Sequence, residues 1–117
     1  MGFTKLSEKI VLNKLKNIDG GNIKLVNYDG KVFHFGNLEN KLSADIKIIN
    51  PNFYFNIISG GSSALGEAHM NKDFYTSNLT NLIELSAKNI NLIYSFSGSL
   101  KIQKIKNFLK KIFAYNT

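Results

Sequence analysis

The chain has 117 residues, 44% of them hydrophobic and 20% charged, which suits one domain around one core and excludes a disordered chain. It contains no cysteine, so disulfides, cysteine-containing zinc sites and thiol chemistry are excluded as well. All 15 basic residues are lysines, set against eight acids for a net charge of +7, and residues 85–117 hold six lysines and no acid.

The first 18 residues carry Leu6, Ile10, Val11, Leu15 and Ile18 at helical spacing, which predicts an amphipathic helix over 7–18, stopped by Asp19-Gly20-Gly21. Segments 22–28 and 31–35 then flank Asp29-Gly30, a pair suited to a type I′ hairpin turn. Ala44, Ile46 and Ile48 alternate with Asp45 and Lys47, the mark of a half-buried third strand over 44–49. Asn50-Pro51 starts a short helix over 51–58, with Asn as N-cap and Pro in the first turn. Residues 64–70 give another short helix. A longer one over about 78–96 is capped by Thr76 or Ser77, and a last one over about 99–114 stacks Ile102, Ile105, Phe108, Leu109, Ile112 and Phe113 on one stripe. The expected fold is α+β, a small antiparallel three-strand meander packed with several helices.

No apolar run reaches the ~18 residues that span a bilayer. The first residues also lack the apolar stretch of a secretory signal. A cytoplasmic protein is expected. The acid-free last third seeks polyanions, and the two candidates are anionic phospholipid and nucleic acid. Without arginine, bidentate recognition of guanine or phosphate is absent, and no nucleic-acid motif occurs, so no specific nucleic-acid partner is expected.

The most informative stretch is Gly60-Gly61-Ser62-Ser63-Ala64-Leu65-Gly66-Glu67-Ala68-His69-Met70-Asn71-Lys72-Asp73-Phe74. It resembles the Gly-Leu-Gly-Glu-Ala-Tyr-Met signature in the N-terminal region of cyclopropane-fatty-acyl-phospholipid synthases and related methyltransferases. The flanks agree: Asp29-Gly30 and Phe35-Gly36 upstream, Asn78-Leu79 and Leu82 downstream, and 107–117 near the segment that precedes that family's catalytic domain. Two positions depart from the pattern, His69 for tyrosine and Lys72 for glycine. If that glycine has positive φ, Lys72 is strained or the turn is reshaped.

The resemblance implies a lipid-carrier-like N-terminal domain in an enzyme that moves a one-carbon unit from S-adenosylmethionine to an unsaturated acyl chain of a phospholipid. Cofactor and chemistry would lie in a C-terminal methyltransferase domain, in cis or on a separate chain. This chain itself is expected to bind no cofactor and no metal. Gly60-Gly61-Ser62-Ser63 follows a helix rather than a parallel strand and so reads as a helix terminator, not a nucleotide loop. The implied setting is the inner face of the membrane, with an anionic phospholipid surface as partner and a homo-oligomer also open. The alternative is a free-standing lipid carrier, similar to sterol-carrier domains.

Several residues are candidates for these roles. Gly66, Glu67 and Asp73 belong to the family motif. The Glu67 carboxylate is expected to cap backbone N–H groups or pair with a lysine, the other reading being contact with a headgroup or partner domain. Phe53, Tyr54 and Phe55 are either core or the lining of an acyl groove or membrane interface. Lys101, Lys104, Lys106, Lys110 and Lys111 share one predicted helix and are candidates for anionic lipid, each worth about 1 kcal/mol near such a surface.

Overall fold

The computed structural model describes residues 2–60 and 63–99. Four strands, β1 (Asn22–Val26), β2 (Val32–Gly36), β3 (Ser43–Ile48) and β4 (Phe74–Tyr75), form one sheet in the order β2-β1-β3-β4. Ile23 lies opposite Phe35 and Ala44, Leu25 opposite Phe33 and Ile46, and Ile48 opposite Phe74. Because successive side chains alternate, these eight apolar residues share one face. Five helices cover that face: α1 (Gly2–Leu15), α2 (Phe53–Gly60), α3 (Ser63–Met70), α4 (Leu79–Lys88) and α5 (Ile90–Ser99). The opposite face carries exposed Lys24, His34 and Lys47. The α+β class is as the sequence predicts.

The meander is not. β3 runs parallel to β1 and on its far side from β2, so the sheet is mixed. The device that turns the chain is Asn22, 5% exposed at the start of β1. Its amide donates to the carbonyls of Asn37 (3.0 Å) and Asn40 (3.1 Å), and its side-chain oxygen accepts from Ser43 Oγ at 2.7 Å. One side chain thus holds both ends of the β2–β3 connection as it passes beneath β1. The hairpin turn also differs from expectation. Gly30 N–H donates to Asn27 O and Asn27 N–H to Lys31 O, and Gly30 has φ +90 while Asp29 is not at positive φ. A type I′ turn needs positive φ at both central residues, so the observed loop is the longer form with glycine in the left-handed position.

Helix boundaries shift for local reasons. Asn50 accepts from Asn52 N–H at 2.9 Å, the capping bond expected of it, although the regular helix begins only at Phe53. The cap of α4 is Asn78, which accepts from Asn81 N–H, while Thr76 and Ser77 are used on β3: Thr76 Oγ1 donates to Asp45 O at 2.6 Å, and Ser77 Oγ to the Asp45 carboxylate. The single helix expected over 78–96 is broken at Asn89. That residue has φ −115, and its side chain donates to Asp19 O and Leu85 O and accepts from Asp19 N–H. An asparagine that satisfies itself against a neighbouring loop ends one helix and redirects the next. As a result α5 packs on α1 and α2, while α4 packs on β3. The predicted helix over 99–114 lies, beyond Ser99, outside the described residues.

Candidate functional site

The helical layer does not pack flush on the sheet. Between Ile23, Leu25 and Ile46 of the sheet and residues of all five helices lies an apolar cavity of about 80 Å³. Val11 and Leu15 come from α1, Phe53 and Ile57 from α2, Leu65 from α3, Leu82 and Leu85 from α4, and Leu92, Ile93 and Phe96 from α5. Each inward set follows from 3.6-residue periodicity, for instance Leu82 and Leu85 on α4 or Leu92, Ile93 and Phe96 on α5. The two polar residues in the lining are already satisfied: Ser86 Oγ donates to Leu82 O, and Asn89 is bonded to Asp19 and Leu85. An apolar space of more than two water volumes with no free polar partner suits hydrocarbon better than water. Leu15, Ile18, Leu92 and Ile93 are only half-buried, so the wall is thinnest where the end of α1 meets α5.

Of the aromatic cluster, Phe53 lines this cavity and meets Phe74 and Tyr54 edge-on at 5.6 Å between centroids. Phe55 is half-buried. Tyr54 has no exposed surface, so the structure replaces its lipid-contact reading with a structural one. Its hydroxyl donates to Asn27 Oδ1 at 2.6 Å. Asn27 in turn donates to Glu8 at 3.0 Å, Tyr28 donates to the other Glu8 oxygen at 2.5 Å, and Lys5 donates to the Tyr28 hydroxyl at 3.2 Å. This chain of bonds pins the hairpin turn between α1 and α2. Burial raises the Tyr54 hydroxyl well above the usual tyrosine range, and the bond to Glu8 raises that of Tyr28.

The motif segment forms α3 and its exit. Ala64 and Ala68, four residues apart, are buried, while Gly66, Glu67, His69 and Met70 are exposed. Gly66 faces open space, with nothing within 4 Å of where a Cβ would stand. The expected capping or pairing role of Glu67 is not seen: its carboxylate has no hydrogen bond or ion pair with the described residues. Asp73 is buried, and its carbonyl accepts from Ile49 N–H and Asn50 N–H, tying the exit of α3 to the end of β3. Asp73 N–H donates to Ala68 O and Lys72 N–H to His69 O, the paired bonds of a Schellman motif. The left-handed position of that motif is Lys72, with φ +60, the one non-glycine at positive φ among the described residues. A side chain there costs about 1 kcal/mol or more. Lys72→Gly is therefore expected to raise stability by about 1 kcal/mol, read as a higher urea midpoint with unchanged slope; a lower midpoint would contradict the strain.

Lys101, Lys104, Lys106, Lys110 and Lys111 lie outside the described residues. Among the described residues no three His, Cys, Asp or Glu groups converge as metal ligands. His34 stands on the open sheet face, and His69 on α3 lies 5.6 Å from the Phe74 ring. No helix among the described residues is long and apolar enough to cross a membrane. Comparison of the chain with family models, curated proteins and solved structures finds no match. The cavity residues of β1, α4 and α5 were legible only as core, because hydrophobic periodicity looks the same beside a packed interior and beside a void.

Proposed function

We propose that this chain is a non-catalytic lipid-recognition domain of a methyltransferase of the cyclopropane-fatty-acid-synthase type, acting on unsaturated acyl chains of membrane phospholipids. The observation that carries the lipid part is the apolar cavity between sheet and helices, whose lining offers hydrocarbon and no free polar group. The family part rests on the motif over residues 60–74. It is supported by Lys72, which has a left-handed backbone at the position where that family usually has glycine. Gly66 is exposed to open space and the exposed Glu67 carboxylate has no hydrogen bond or ion pair among the described residues, which favours a motif facing a partner domain over a free-standing carrier.

In this reading S-adenosylmethionine belongs to the partner domain, and the lysines of the last third bring the assembly to an anionic membrane surface from the cytoplasmic side. Titration of the full chain with S-adenosylmethionine should give no saturable heat at micromolar cofactor. The same chain should co-sediment with anionic vesicles, and less so at about 1 M salt, where the Debye length falls to about 3 Å. Saturable cofactor binding would overturn the accessory-domain reading. Equal sedimentation with neutral vesicles at any salt would overturn the role of the lysines.

A further inference from the structure

A second concavity lies on the outside of the domain, where α1 passes over the edge strand β2. It measures about 530 Å³, within the range of small-molecule sites, and is separate from the interior cavity. Its apolar floor includes Leu12, Phe33 and Phe35, with the two rings stacked at 6.1 Å and 7° between planes. Phe33 and Phe35 point inward from the sheet, but β2 is the outermost strand: Phe33 is left half-buried, while Phe35 is buried and forms the deep end of the floor. Its edge is formed by Lys9 and Asn13, four residues apart on one face of α1, and by Lys16 in the turn that follows the helix. Both lysines are exposed, neither ammonium has a hydrogen-bond or ion-pair partner among the described residues, and no acid lines the groove.

We infer that this groove binds a single-chain anionic amphiphile, a long-chain fatty-acid carboxylate, with its tail on Phe33 and Phe35 and its head over Asn13 between Lys9 and Lys16. Charge selects this occupant over the others at hand. Residues 100–117 carry five lysines and no acid, so laying that segment in the groove would bring like charges together. A second copy docked through the same patch would oppose Lys9 and Lys16 to themselves. A carboxylate on an alkyl chain satisfies the floor and the edge at once, with the lysine stems adding apolar cover. The inference uses a different surface from the cavity and does not depend on the function proposed above.

The test is calorimetric titration of the full chain with dodecanoate and with dodecan-1-ol, both below their aggregation limits, together with amide shift mapping by NMR. Dodecanoate should bind saturably and shift the amides of Lys9, Asn13, Phe33 and Phe35. Lys9→Gln with Lys16→Gln should weaken dodecanoate about tenfold and dodecan-1-ol less than twofold, since only the carboxylate uses the charges. Absence of saturable binding would overturn the inference, as would equal weakening of both ligands. Shifts confined to Ile57, Leu85 and Leu92 would also overturn it, by placing the chain in the interior cavity and leaving the lipid reading of that cavity standing.

Discussion

Replacing Gly36 with alanine is expected to lower stability by about 2–5 kcal/mol, a large part of the roughly 5–15 kcal/mol available to a domain of this size. Two penalties add at this position. Gly36 has φ +88, and a side chain in left-handed backbone costs about 1–2 kcal/mol. An added Cβ would also stand 2.2 Å from Gly21 O and 2.9 Å from Asn22 Cα, both backbone atoms that cannot swing aside. Forced overpacking of that kind costs about 1–3 kcal/mol more. Gly30→Ala supplies the control, because Gly30 has nearly the same φ, +90, with nothing within 4 Å of its Cβ position. Urea unfolding of the two variants should show Gly30→Ala losing only the conformational part, about 1–2 kcal/mol. Equal losses would mean that the end of the sheet relaxes freely and that the close approach of β2 to Gly21 is not a constraint.

Asn27→Ala is expected to cost about 2–3 kcal/mol, because it strands a hydroxyl rather than merely deleting a bond. Tyr54 is fully buried, and its hydroxyl donates to Asn27 Oδ1, so the alanine variant leaves that donor without a partner and takes one donor from Glu8. Tyr54→Phe should cost less, about 1–2 kcal/mol, since the residue left behind is a carbonyl acceptor. The double variant should be more stable than the sum of the singles by about 1 kcal/mol or more, the coupling expected of residues in one network. Additive losses would show that the two side chains act independently. The ionisation of Tyr54 gives a second readout. Its pKa is raised in the folded state by burial, so the folded protein holds the proton more tightly than the unfolded chain does. The stability this contributes is fully present below pH 10 and declines as pH rises above it. Tyr54→Phe should flatten that alkaline decline, as read from urea midpoints at pH 9 and pH 11.

The sequence by itself determined the elements that depend on local periodicity and local chemistry. The alternation of Ala44, Ile46 and Ile48 fixed a strand with one buried face, and Asn50 before Pro51 marked a helix start that the structure caps through Asn50. The departure at Lys72 was visible as a non-glycine in a position suited to positive φ, and its φ of +60 is where a Schellman exit puts it. These signals are readable because the forces behind them act within a few residues.

What only the tertiary structure decided depends on partners far apart in the chain. The parallel pairing of β3 with β1 follows from Asn22 gripping carbonyls 15 and 18 residues away, and no local pattern distinguishes that amide from a surface asparagine. The break at Asn89 depends on a loop 70 residues upstream. Tyr54 was open to a lipid-facing reading until Asn27 appeared beside its hydroxyl, and Glu67 to a capping one until its carboxylate proved exposed and without a partner among the described residues. The interior cavity and the lysine-edged groove were the least legible of all. A void is set by how helices of fixed length rest on a twisted sheet, and hydrophobic periodicity records which face is buried but not how closely the opposing faces meet.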